Sequence, residues 1–192
     1  MKLLRQEFKF YISNEEIMFL RKSLKLLMKL DENSNKKKGL YTITSLYFDS
    51  PNNDAFNEKV DGVYSREKFR IRKYSESEII KFESKKKIEN VIRKTSNIID
   101  KKTVSHLIQN DMHKLNNEKS EFLKKSFALI KSNGLKAKNI IEYDREAYYL
   151  PYGNIRVTFD TNLRTYNSNK NFYDKSKSSI PIFFDKINIL EI

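Results

Sequence analysis

Apolar and polar residues alternate with period two over several stretches of the chain, and the polar positions are repeatedly charged. In extended backbone, alternate side chains share a face. Residues 3–12, LLRQEFKFYI, put Arg5, Glu7, Lys9 and Tyr11 on one side and Leu4, Phe8, Phe10 and Ile12 on the other, which predicts a strand. Residues 41–49, YTITSLYFD, read as another, stopped by Ser50-Pro51-Asn52. Asp61-Gly62 is a hairpin-turn signal. The strand at 64–74 that follows carries Arg66, Lys68, Arg70 and Arg72 on one face and Glu67, Phe69, Ile71 and Lys73 on the other. A polar turn, SESE, leads into 79–88, IIKFESKKKI, whose charged face is Lys81, Glu83, Lys85 and Lys87. Residues 89–96, ENVIRKTS, read as a connection, and strands resume at 140–149, 155–160 and 186–192.

Period 3.6 appears in two places. Ser13 and Glu16 have the spacing of a capping box and open a helix whose apolar stripe is Ile17, Leu20, Leu24 and Leu27. Residues 31–39 read as a loop, and residues 100–133 are helical and polar, ending at Gly134. No repeat or boundary divides the chain. The expectation is one domain over 1–192, α+β, with a mainly antiparallel sheet and a helical insertion at about 100–134.

The 192 residues suffice for a real core, and 39% apolar with 12% aromatic residues suits a globular chain. The net charge of +13 favours an anionic partner. Much of that charge is lysine, abundant throughout and expected on solvated surface. Arginine is scarcer, so its placement says more. Of nine arginines, six (5, 66, 70, 72, 145 and 156) fall in predicted strands. Absence of cysteine excludes disulfides, thiolate catalysis and thiolate-held zinc. His106 and His113 lie two helical turns apart without an HExxH pattern, which favours surface or packing roles. No apolar run approaches the ~20 residues of a membrane span. The charged start fits no secretory signal, so the expected location is cytoplasmic.

Four strands share a grammar of charges on alternate positions: Arg5-x-Glu7-x-Lys9, Arg66-x-Lys68-x-Arg70-x-Arg72, Glu83-x-Lys85 and Arg156-x-Thr158-x-Asp160. A solvated sheet face accounts for any one of them. If all four converge, they line a polar cavity with an apolar outer wall, as in a closed antiparallel barrel. Clustered Arg and Lys suit the many oxygens of a phosphate chain. Carboxylates among them suit a divalent metal.

These residues resemble a known family. The segments RQEFKF at 5–10, SLYFD at 45–49, EKVDGVYSREKFRIRKY at 58–74, FESKKK at 82–87, RKTS at 93–96, YDREAYY at 143–149, IRVTFDTNLR at 155–164 and ILEI at 189–192 are together similar to the VTC domain of the CYTH, or triphosphate tunnel metalloenzyme, superfamily. The opening R-x-E-x-K is the VTC form, where the sister branch has E-x-E-x-K. The resemblance implies an antiparallel β-barrel, the triphosphate tunnel, with flanking helices. It implies binding of ATP, tripolyphosphate or polyphosphate with Mn²⁺ or Mg²⁺, and polyphosphate synthesis from ATP. Carried over by position, Lys9, Arg70, Arg72, Lys85, Lys94, Arg145 and Arg156 would grip phosphate, with Arg5, Arg66 and Lys68 in support. Glu191 would be the metal ligand. Glu7, Glu83 and Asp160 would be inward carboxylates that orient the cations or assist the metal. In the family the last strand continues past L-E-I into a Lys and more wall, so the resemblance implies that the sequence stops short at Ile192 and that its barrel is incomplete.

Three alternatives share or contest this chemistry. A tunnel triphosphatase needs the same grip with water as acceptor. A binding module for polyphosphate needs the grip alone. A nucleic-acid binder needs aromatics beside the cations, whereas Phe69 alternates away from Arg66, Lys68, Arg70 and Arg72. No nucleic-acid partner and no transmembrane segment are expected, and a membrane-associated partner is left open.

Overall fold

A computed structural model describes residues 7–31, 34, 39–89, 91–115, 119–173, 178–183, 185 and 187–192. Its described strands are β1 (Lys9–Ile12), β2 (Lys29–Leu30), β3 (Tyr41–Asp49), β4 (Ser65–Tyr74), β5 (Ser77–Ile88), β6 (Val91–Ile99), β7 (Lys136–Tyr149), β8 (Arg156–Thr165), β9 (Ile180–Pro181) and β10 (Asn188–Glu191). They form one antiparallel sheet in the order β1-β10-β8-β7-β3-β4-β5-β6, with β2 added to β7 and β9 to β8. Helices α1 (Asn14–Leu27), α2 (Asp54–Val60), α3 (Lys101–Gln109) and α4 (Glu121–Ser132) flank it. The α+β class agrees with the sequence reading, and α3 and α4 fall within residues 100–134. The described pairings leave β1 and β6 as end strands. The sheet curls far enough that Glu7, just before β1, meets Lys85 on β5 at 3.5 Å.

Alternation decides what each face does. Leu46 and Phe48 from β3, Phe69 and Ile71 from β4, Ile80 and Phe82 from β5 and Ile140 from β7 form one buried cluster with Val104 and Leu107 of α3 and Leu123, Phe127 and Ile130 of α4. Phe82 is its centre, with ring centroids 5.3–6.3 Å from those of Phe127, Phe69, Phe122 and Phe48. A second cluster packs α1 against Ile12, Tyr148, Val157, Phe159 and Leu190. In β4 and β5 the apolar half of the alternation is therefore turned outward, under the helices, and most of the charged half faces the hollow of the sheet. Strands β3 and β7 depart from this: Tyr41, Ile43, Tyr143 and Ala147 form a small inner cluster, and Glu142, Asp144 and Glu146 lie on the outer face.

The α1 capping box forms as expected: Ser13 Oγ accepts from the Glu16 N–H and Glu16 Oε2 from the Ser13 N–H. Its stripe differs at the end. Leu27 is exposed, and Met28, in extended backbone after the last turn, joins Ile17, Leu20 and Leu24 against the sheet. Asp61-Gly62 does not make a hairpin turn. It ends α2, with Gly62 at φ +68 and the Val63 N–H reaching back to the Glu58 carbonyl. Residues 91–99 are strand β6 rather than a connection, its register fixed by β5 alone. An end strand with eight exposed or half-exposed positions before Ile99 presents little apolar pattern to read. Strands β7 and β8 run beyond the expected 140–149 and 155–160.

Lys73 is on the outer face, as alternation requires, but it is not idle. Its Nζ donates to the Phe172 carbonyl and sits 4.8 and 5.3 Å from the ring centroids of Phe172 and Tyr173. A charged hydrogen bond and a cation–π contact together predict that Lys73→Ala lowers stability by about 1–2 kcal/mol. Urea unfolding measures it, and an unchanged midpoint would mean the contact holds nothing in place.

Candidate functional site

The inner-face cations stand in cross-strand rows because directly opposed residues share a face. One row is Lys94–Lys85–Lys68 across β6, β5 and β4. The next is Ser96–Glu83–Arg70–Tyr47, reaching β3. A third runs Lys81–Arg72–Ser45. On the far side of the curl, Arg145 of β7 faces Asp160 of β8, and Glu191 of β10 lies between Thr158 and Lys9.

Two buried carboxylates organise these cations. Glu83 is 3% exposed. It accepts from Arg70 at 2.6 Å and Lys94 Nζ at 2.9 Å, with Arg72 Nε at 3.8 Å. Burial alone would push its carboxyl up, but Arg70, Arg72 and Lys94 outweigh that and hold it down to about 2. Asp160 takes a fork from Arg145, Nε to Oδ1 and Nη2 to Oδ2, both at 2.6 Å. Arg145 Nη2 also reaches Glu191 Oε2 at 3.1 Å. Lys9 Nζ bonds the same oxygen at 3.0 Å and lies 3.2 Å from Glu7, which in turn meets Lys85. Burial opposes ionisation of Glu191, yet Arg145 and Lys9 hold its carboxyl below the ordinary value.

The sequence-derived residues are thus largely gathered on one surface. Lys9, Lys85, Lys94, Arg70, Arg72 and Arg145 join Glu7, Glu83, Asp160 and Glu191 in the contacts above. Arg156 stands two residues from Thr158 on the same face, bonded to Asp31 Oδ2 at 2.6 Å and the Tyr41 hydroxyl at 2.9 Å. Its Nε and Thr158 Oγ1 are buried with no partner among the described residues. Lys68 has no ion pair among them; burial first, then Lys59 and Arg66, lowers its pKa. Arg66 lies at the strand's outer end and donates to the Val63 carbonyl at 3.2 Å. Arg5 falls outside the described residues.

Several inner-face residues escaped the sequence reading. Asp31 comes from a segment read as loop. Tyr47, Tyr143 and Tyr41 each offer a phenol oxygen to a guanidinium, of Arg70 at 3.2 Å, Arg72 at 3.4 Å and Arg156 at 2.9 Å. The alternation Tyr41-x-Ile43-x-Ser45-x-Tyr47 was the available signal.

No group of three or more His, Asp or Glu poised to hold a metal ion occurs among the described residues. Glu7, Glu83, Asp160 and Glu191 are each already paired with a cation. This donor set fits a hard ion that takes most of its ligands from water and phosphate and one or two from carboxylate, with Glu191, part-exposed at 22%, the reachable oxygen donor. The two histidines are not near it in the chain. His106 is on α3, its ring nitrogens buried without partners among the described residues. A shallow groove at Tyr11, Asn14, Glu15, Glu16 and Asp185 is acidic among its described lining and lies apart from the cation rows.

The sequence model of the VTC domain matches residues 4–192. The chain belongs to the VTC domain family. No curated protein matches it. Among solved structures, this VTC domain is similar to a candidate adenylate cyclase from Bacillus halodurans, at 13% identity and a TM-score of 0.58, over 96% of this chain and 77% of that one. It is also similar to a candidate adenylyl cyclase from Hippeastrum described as having a dominant triphosphatase activity, at 14% identity and a TM-score of 0.54, with the same coverage. At such identities the likeness shows a shared fold. The VTC domain presents on that fold an inner wall where named cations outnumber named carboxylates, and none of its described helices is long and apolar enough to cross a membrane.

Proposed function

We propose that this VTC domain grips the triphosphate of ATP on its cationic inner face and transfers the γ-phosphoryl group to the end of a polyphosphate chain. The observation that carries this reading is the convergence of Arg70, Arg72, Lys85, Lys94, Lys9 and Arg145 on one concave surface, with more cations than carboxylates to neutralise them. Arg156, Arg66 and Lys68 extend it along the same face, and Arg5 precedes it in the chain. In the transfer, a terminal phosphate oxygen of the acceptor forms a bond to the γ-phosphorus as the bond to the β-phosphate bridging oxygen breaks, and ADP leaves. Phosphoryl transfer of this kind asks the protein for alignment and charge, not for a nucleophilic side chain. The arginine forks hold the non-bridging oxygens in line, and the lysines neutralise charge along the chain. Glu191, which shares Lys9 with Glu7 and Arg145 with Asp160, would hold Mn²⁺ or Mg²⁺ together with phosphate oxygens, and Glu83 would chiefly orient Arg70 and Lys94. Such an ion would supply neutralisation of the negative charge on the phosphate.

A metal-dependent triphosphatase is the second reading, favoured by the activity named for the Hippeastrum protein of like fold. It uses the same grip with water in place of the acceptor. Incubation with ATP and Mn²⁺ separates the two. Long-chain polyphosphate is the expected product, free phosphate alone would replace the first reading by the second, and binding without turnover would leave a polyphosphate-binding module. Phe69 is 2% exposed beneath the helices, so it cannot stack on a base beside Arg70.

A further inference from the structure

Tyr47 lies in the middle of the cations, on β3, directly opposite Arg70. Its phenol oxygen accepts from Arg70 Nη1 at 3.2 Å, and the guanidinium carbon is 5.9 Å from its ring centroid. Arg72, Lys9 and Lys68 also act on it electrostatically. An arginine can be oriented by a carboxylate, which cancels its charge, or by a neutral oxygen, which does not. Arg70 has one of each: Glu83 bonds Nε and Tyr47 bonds Nη1. A phenol has one donor hydrogen besides its acceptor lone pairs. With its oxygen occupied by Arg70, that hydrogen has no acceptor among the described residues, and Arg70, Arg72, Lys9 and Lys68, the cations that act on the phenol, cannot accept.

We propose that Tyr47 is a hydrogen-bond donor to the phosphate held by Arg70, as well as the neutral brace that aims this guanidinium. The assignment rests on the reading of the inner face as a phosphate site. An oxygen bonded to Arg70 on the open side of Nη1 comes within reach of the phenol hydrogen, so one anion satisfies both groups. The electrostatics agree. Burial would push the Tyr47 phenol up, but Arg70, Arg72 and Lys9 outweigh it and hold it below the ordinary value, which makes it a stronger donor. Tyr143 and Tyr41 also brace arginines, yet burial dominates there and both phenols are raised. Tyr47 therefore stands apart from the other two in donor strength.

The test is Tyr47→Phe, titrated calorimetrically with tripolyphosphate in metal-free buffer at several salt concentrations. The expected result is a Kd about tenfold weaker than wild type, with the melting temperature of the free protein retained. The salt dependence of Kd should stay that of wild type, because no cation has been removed. Tyr152→Phe, 87% exposed on a loop, should bind as wild type does. Wild-type binding with an unchanged Kd in Tyr47→Phe overturns the Tyr47 assignment alone. Weaker binding with the flattened salt dependence of Arg70→Ala also overturns it, since the phenol would then serve only to aim Arg70. Failure of the wild-type domain to bind tripolyphosphate overturns the phosphate reading and this assignment with it.

Discussion

Arg70→Ala is expected to weaken tripolyphosphate binding about 100-fold, close to 2.7 kcal/mol. The guanidinium is the hub of the inner wall. It bonds Glu83 and Tyr47 and stands beside Arg72 and Lys85 in the neighbouring rows. Removing it deletes a bidentate donor and leaves Glu83 with Arg72 at 3.8 Å and Lys94 at 2.9 Å as its remaining ion pairs, so part of the buried charge balance goes too and the melting temperature also falls. The loss of affinity is therefore measured below the melting transition of the variant. Lys73→Ala supplies the contrast from the opposite face of β4, three residues on: stability falls while the Kd for tripolyphosphate holds. Equal losses of affinity in the two variants would mean that the faces of β4 are not separated as inner and outer, and the phosphate reading of this strand would go with them.

The face assignment of β4 was legible because period two is unambiguous there: four cations on one side, Phe69 and Ile71 on the other. The same rule read β5, and Ser13 with Glu16 announced α1 through a local hydrogen-bond pattern. What was illegible has physical causes. Strand β6 pairs on one edge only and is largely exposed, so its side chains carry no burial signal, although it delivers Lys94 to Glu83. Helix α2 has no buried residue, and Asp61-Gly62 serves a helix end as readily as a hairpin. Among site residues, the cations could be named from alternation and family likeness. The carboxylates Glu7, Glu83, Asp160 and Glu191 could be named too, but not which cation each one holds. The Asp31–Arg156 and Glu7–Lys85 pairs depend on how the sheet curls, which no local pattern encodes. The tyrosines were hidden differently: on a strand such as β3, Tyr41 and Tyr47 look like ordinary core.

Glu83 should make the domain acid-sensitive, and Glu83→Gln should remove that sensitivity. Its carboxyl is held down to about 2 in the folded chain against an ordinary value of 4.5. Between those values the unfolded chain binds the proton and the folded chain does not, so folding loses stability as pH falls. The contribution is present in full above about pH 4.5 and is gone below about pH 2. At about 1.4 kcal/mol per unit it amounts to roughly 3 kcal/mol. Urea unfolding at pH 7 and pH 3 measures it as the difference between wild type and Glu83→Gln, which cancels the other titrating carboxylates. A gap that is large at pH 7 and narrows at pH 3 is expected; a constant gap would mean that Glu83 is not ionised by its cations. The same variant separates the two roles open to this carboxylate. If Glu83 is the resting counter-ion of Arg70, Arg72 and Lys94, phosphate competes with it for them. Glu83→Gln then binds tripolyphosphate more tightly than wild type in metal-free buffer, and the ligand restores much of the lost stability. If instead Glu83 chiefly holds a metal, metal-free affinity stays put and the variant loses only the part of binding that Mn²⁺ adds. The geometry favours the first outcome, because a carboxylate 3% exposed and bonded to Arg70 and Lys94 has little left to offer an ion.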